Sequence, residues 1–149
     1  MQTYEVCIRR LDAATVQASA RSFSVVLGGK RADETAGMNP VETLLSSLGA
    51  CLLTSLAMVA ELSHITMTEV AIRVSATRQD RPPRLIRASY ELFLQTDVSQ
   101  ERAERLLQLA ERNSTVFQTL SQSVSLSGKV TLGRSKPDHA PVKKDDRPS

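Results

Sequence analysis

The sequence predicts an α+β domain. Three patterns carry that prediction: apolar–polar alternation near the N-terminus, one long and almost uniformly apolar helix from Pro40, and an alternating pair of segments followed by an amphipathic helix. From Thr3 to Leu11, Tyr4, Val6 and Ile8 alternate with Glu5, Cys7 and Arg9, the period-two pattern of a half-buried strand with Cys7 on its polar face. Ala14 to Leu27 reads as one or two further strands, and 28–37 as a polar loop. Asn39 is the expected N-cap of the long helix, and Pro40 its first residue, where a missing N–H is not needed. From Pro40 to Leu62 only Glu42 and Glu61 are charged, so this helix is expected to be buried on most sides. Thr68 to Arg78 and Arg84 to Thr96 alternate on either side of Asp80-Arg81-Pro82-Pro83, which predicts a hairpin. Asp97 and Gln100 have the spacing of a capping box, opening a helix over 99–113 whose stripe is Ala103, Leu106, Leu107 and Ala110. A short helix over 115–122 and a strand over 124–132 complete one domain spanning 1–133. Residues 134–149, rich in proline and charge, predict a disordered tail.

The chain has 149 residues, enough to bury about two thirds of its unfolded surface. It contains no Trp, three Phe and two Tyr, so the core must be aliphatic. The formal charge is +3, but the tail carries five basic and three acidic residues and so holds two of those three charges. A nearly neutral body without interleaved aromatics argues against a nucleic-acid partner. Ser46, Ser47, Gly49, Thr54 and Ser55 dilute the apolar run, and no basic cluster flanks it, which argues against a membrane span. Two cysteines cannot build a disulfide scaffold or a four-thiolate zinc site, and the charged, alternating N-terminus is unlike a secretory signal; a reducing, cytoplasmic setting is expected. No metal or other cofactor is indicated. Gly28-Gly29-Lys30 and Gly128-Lys129-Val130 lack the spacing of a phosphate-binding loop.

Cys51, in Leu48-Gly49-Ala50-Cys51-Leu52-Leu53, is the candidate nucleophile. Two readings stand side by side. An unpaired cysteine in an apolar helix packs as a small hydrophobe; a reactive one needs its pKa lowered from about 8.5 by a cation or a helix N-terminus. Cys51 lies beyond the first turn, so its cation would be an arginine brought in by the fold, with Arg9, Arg10 and Arg21 on the N-terminal strands available. Glu42 suits the exposed amides of the first helical turn, and lies about 13.5 Å along the axis from Cys51. Direct Glu42–Cys51 chemistry therefore requires a second subunit or a bridging arginine. His64, at the end of the helix, is either a favourable charge for the dipole or a spatial partner of Cys51.

The order Gly37-x-Asn39-Pro40-x-Glu42-x-Leu44-Leu45, then Gly49-Ala50-Cys51 with the cysteine eleven residues after the proline, then a hairpin and a second helix, resembles the OsmC/Ohr family of osmotically inducible and organic hydroperoxide resistance proteins. The resemblance runs from about Phe23 to Leu132. It implies an intertwined homodimer with two long central helices and sites at the subunit interface. It also implies that Cys51 is the peroxidatic thiol, held by an arginine and a glutamate, and that a second cysteine closes a disulfide which a dithiol reductant reopens. For this chain a small hydrophobic peroxide as substrate and an external thiol as reductant are expected. Three departures stand out. Ser114, in Ser114-Thr115-Val116-Phe117-Gln118-Thr119-Leu120, occupies the position of the family's resolving cysteine. Val41 stands where the hydroperoxidase branch has its glutamate, Glu42 matching only the next position, and the arginine is either Arg10 or Arg21. A hydroxyl cannot condense with a sulfenic acid to a disulfide, so turnover would be of the one-cysteine kind unless Cys7 substitutes. The alternative is a non-catalytic homodimer that binds a small hydrophobic ligand on the same scaffold.

Overall fold

The computed structural model describes residues 1–133; the expected tail lies outside the described residues. The chain forms two compact units, Met1–Ser46 and Ser47 onward. In the first, β1 (Cys7–Arg10), β2 (Thr15–Ala20) and β3 (Phe23–Gly28) make an antiparallel sheet in chain order. Asp12 turns the chain between β1 and β2, its carboxylate accepting the amides of Ala14 (2.8 Å) and Thr15 (2.9 Å). The expected half-burial of the first strand is not found. Tyr4, Val6 and Ile8 are exposed, as are Phe23, Val25 and Val26 on β3.

Helix α1 (Pro40–Leu62) starts as its sequence indicates, and with a second contact. Asn39 Oδ1 accepts the Glu42 amide (2.8 Å) while Glu42 Oε1 accepts the Asn39 amide (3.0 Å), a reciprocal capping box. The helix ends in a Schellman motif: the Ile65 amide donates to Ala60 O, the His64 amide donates to Glu61 O, and His64 takes the left-handed conformation at φ 54°. Burial on most sides is corrected to burial on one. Leu48, Gly49, Leu52, Ser55, Leu56, Val59 and Ala60 are buried, whereas Val41, Leu44, Met58 and Leu62 are exposed. By length and composition α1 could also cross a bilayer, but the side it buries is packed on a sheet.

That sheet, in the second unit, is β4 (Met67–Asp80), β5 (Pro83–Thr96) and β6 (Ser125–Leu132). β4 and β5 form the expected hairpin about Arg81-Pro82, while β6 joins β5 in parallel after α2 (Gln100–Asn113) and α3 (Thr115–Leu120). The cap of α2 differs from expectation: Ser99, not Asp97, accepts the Arg102 amide, and Gln100 instead donates its side-chain amide to Val130 O (2.8 Å). Leu48, Leu52 and Leu56 of α1, Leu92 and Leu94 of β5, Leu106 and Leu107 of α2 and Val130 of β6 form one aliphatic core. Gly49 permits the close approach. A β-carbon there would meet Ile72 Cγ2 at 3.2 Å and Val74 Cγ2 at 3.3 Å, so α1 rests almost backbone-on-side-chain over β4.

Tyr90 is buried against Gly128, where any β-carbon would overlap its ring. The Tyr90 hydroxyl makes no hydrogen bond of good geometry. Burial, then the charge of Glu111, holds the phenol far above its ordinary value of 10. Burial likewise raises the Glu111 carboxyl above 4.5, the Tyr90 hydroxyl opposing it weakly. A carboxyl whose folded-state pKa is raised contributes stability below its unfolded value and loses it as pH rises through the folded value. Glu111→Gln should therefore raise the urea midpoint at pH 7 and leave it unchanged well below pH 4.5. Urea titrations of both proteins at the two pH values check this; an equal shift at both would show that ionisation of Glu111 is not the cause.

Candidate functional site

Cys51 lies on the flank of α1, between the buried face that carries Leu48, Leu52 and Ser55 and the exposed face that carries Ala50, Thr54 and Met58. It is half-buried and unpaired. On the helix surface its neighbours at three, four and seven residues are Leu44, Ser47, Leu48, Thr54, Ser55 and Met58, a mixture of small polar and apolar groups at the rim of the core.

One of these neighbours ties the site to the next element. Ser55, buried one turn beyond Cys51, donates its hydroxyl to the carbonyl of Asn113 (3.2 Å), the residue just before Ser114. The turn that carries Ser114 is thus joined to the helix of Cys51 by a side-chain strut. Ser114 itself is fully buried and caps two helices. It ends α2 and opens α3: its amide donates to Glu111 O (3.3 Å) and its hydroxyl accepts the Phe117 amide (3.2 Å). Serine is a strong N-cap, which explains the hydroxyl at this place. The spacing Ser114-x-x-Phe117 was open to that reading in the sequence; the role of Ser55 was not, because its partner is 58 residues away.

The other candidates are engaged locally. Glu42 belongs to the capping box with Asn39. Arg10 donates from its two terminal nitrogens to the carbonyls of Asp12 and Gly29, each at 3.2 Å, bracing the turns of the first sheet. Arg21 turns the β2–β3 hairpin at φ 55° and lies over the Phe23 ring, 5.1 Å from its centre. Cys7 is exposed on β1, opposite Ser19. A pairing of Cys51 with His64 within one chain is excluded: the helix from Cys51 to Leu62 alone rises about 16 Å. No group of three His, Cys, Asp or Glu able to hold a metal occurs among the described residues.

The sequence model of OsmC-like proteins matches residues 31–128. No curated protein matches the chain in sequence. Among solved structures, an OsmC-like protein from Mycoplasma pneumoniae superposes with a TM-score of 0.82 at 19% identity, over 89% of this chain and 99% of that one. The organic hydroperoxide resistance protein OhrB of Bacillus subtilis gives 0.63 at 19% identity, over 87% and 98%. An organic hydroperoxide resistance protein of Legionella pneumophila gives 0.68 at 16% identity, over 88% and 98%. At these identities the structural likeness speaks for the fold.

Removal of the Ser114 hydroxyl should release the Phe117 amide and cost about 1 kcal/mol. Ser114→Ala is therefore expected to lower the urea midpoint and to speed hydrogen exchange at Phe117 and its neighbours. Unchanged exchange there would remove the capping role.

Proposed function

The chain belongs to the OsmC-like family, and from that premise we propose that it is a one-cysteine, thiol-dependent peroxide reductase of a reducing, cytoplasmic compartment, with Cys51 as the peroxidatic residue. The observation that carries the reading is the position of Cys51: half-buried on the flank of α1, one turn from the Ser55 strut that leads to Asn113 and Ser114.

The chemistry follows from what a thiolate can do without a second cysteine. The Cys51 sulfur attacks one oxygen of a hydroperoxide; the O–O bond breaks, the sulfur is oxidised to a sulfenic acid, and the other oxygen leaves as an alcohol after taking a proton. Ser114 cannot resolve this intermediate. An external thiol condenses with it, releasing water and forming a mixed disulfide, and a second external thiol then returns Cys51 to its reduced form. Within the proposal, the family's thiolate-holding pair would be supplied by either Arg10 or Arg21 together with Glu42, which stands one position beyond the family's glutamate. Apolar peroxides suit a site next to Met58 and the aliphatic core. The comparison is dithiothreitol-dependent consumption of cumene hydroperoxide by wild type and Cys51→Ser. Loss of nearly all turnover in the variant is expected; equal rates remove the enzymatic reading.

The second reading, a homodimer that holds a small hydrophobic ligand with Cys51 as lining, draws on the same apolar surroundings. It differs in the thiol. Iodoacetamide alkylation followed against pH should have its midpoint well below about 8 if the thiolate is activated, and near the free-cysteine value of about 8.5 if it is only lining.

Both readings share a homodimer. Val41, Leu44, Met58 and Leu62 on α1, and separately Val6, Ile8, Phe23, Val25 and Val26 on the first sheet, are more apolar surface than one chain usually leaves in water. A second copy that packs its own α1 against this one would cover the helix face. Met58→Glu, a change at a side chain 44% exposed in the single chain, should then convert a dimer to a monomer in light-scattering mass measurements. A monomeric wild type, or an unaffected dimer, would overturn this arrangement.

A further inference from the structure

The β4–β5 hairpin outreaches its sheet. β6 begins at Ser125, opposite Arg87, so the pairs Arg78 with Leu85, Gln79 with Arg84 and Asp80 with Pro83 continue with no third strand beside them among the described residues. From Arg87 to Pro83 this two-stranded ribbon rises about 13 Å. Its sequence is regular: Arg78-x-x-Arg81-x-x-Arg84-x-x-Arg87, all four exposed, with Asp80 as the one acidic residue from Thr77 to Arg87. The ribbon thus carries a surplus of three positive charges, all of it as arginine. Two strands without a third are marginal, and like charges crowded at their tip weaken them further, so sheet stability does not account for this pattern.

The charges are open to a partner. Arg78 Nη1 donates to Asp80 Oδ1 (3.0 Å), which occupies the one carboxylate, and Arg87 Nε donates to Thr77 Oγ1 (3.4 Å). The side chains of Arg81 and Arg84 make no hydrogen bond or ion pair with the described residues. Between them the apex is apolar. Pro82 and Pro83 are exposed, neither has a backbone N–H, and the Pro82 carbonyl accepts Gln79 Nε2 (3.0 Å). The two prolines can therefore leave water without stranding a donor. An apolar tip ringed by guanidinium groups matches the boundary of a phospholipid layer. The rings enter the headgroup region, while the arginines, weakly hydrated and able to bind a phosphate through two N–H groups, stay level with the phosphates. The groove of a nucleic-acid duplex asks the apex for hydrogen bonds to base edges, which two prolines cannot make. A small anion asks for a cavity, and a hairpin tip is convex.

We propose that the arginine-ringed tip of the β4–β5 hairpin docks this protein onto an anionic phospholipid surface, with Pro82 and Pro83 touching the headgroup layer and Arg81 and Arg84 meeting its phosphates. The contact is peripheral and involves no span. It does not rest on the peroxidase reading, and no arm of its test measures turnover.

The test is co-sedimentation of the full-length protein with phosphatidylcholine vesicles made with and without phosphatidylserine, at low and at high sodium chloride. Binding is expected only to the vesicles that contain phosphatidylserine, and should be lost at high salt. Each basic residue near such a surface is worth roughly fivefold in partitioning, so the double variant Arg81→Gln, Arg84→Gln should bind about 25-fold more weakly. Both side chains are exposed and hold nothing else in place, so the variant keeps the fold. Lys143→Gln with Lys144→Gln removes the same charge from the C-terminal segment and should bind as wild type does. Absence of binding, equal binding to phosphatidylcholine alone, full binding by the arginine variant, an equal loss in the lysine variant, or tighter binding to a short DNA duplex than to the anionic vesicles would each overturn the proposal.

Discussion

The contact between α1 and β4 is the constraint on which the second unit depends. Gly49 brings the helix backbone down onto Ile72 and Val74, and Leu48, Leu52 and Leu56, each at 1% exposure or less, complete the seam. Each of these leucines is worth about 2–5 kcal/mol against alanine in a packed core, so the helix cannot rotate to present another face without losing most of the stability of a domain this size. Its rotation decides which residues reach the flank. Cys51 is there because it follows Gly49 by two positions, and Ser55 is buried because it lies one turn further along the same edge.

The helix thus has two faces that its composition does not separate. Its buried side is the floor of an aliphatic core; its other side carries Ala50, Thr54, Ala57 and Met58, small or flexible groups that are exposed in the single chain. Hydropathy alone sees one apolar run. Burial splits it into a packed face and an exposed one.

This is also where reading from sequence succeeds and where it stops. Helices and strands were legible because their signals are local: the alternation of β4 and β5 about a proline turn, the Asn39-Pro40 start, and the Ala103, Leu106, Leu107, Ala110 stripe. Boundaries drifted where two residues compete for one role, as with Asp97 and Ser99 at the start of α2, since both types cap and only the backbone decides. The first strand is exposed where alternation predicts half-burial, because alternation marks which residues share a face and not whether that face is covered. At the site, Cys51 and Ser114 could be singled out by spacing, but the Ser55–Asn113 strut arises from a pairing tens of residues apart.

The parallel pairing of β6 bears on how the molecule assembles. β4 and β5 meet through a two-residue turn, so their pairing requires almost no loop closure, whereas β6 meets β5 only after the chain has passed through both α2 and α3, with paired residues about forty positions apart. The hairpin can form early and alone, while the last strand must wait until the helical crossover has docked and Gln100 has a Val130 carbonyl to hold. Until that moment the aliphatic seam is open along one edge, and the interval between hairpin and closure is the time in which this chain is most exposed to aggregation.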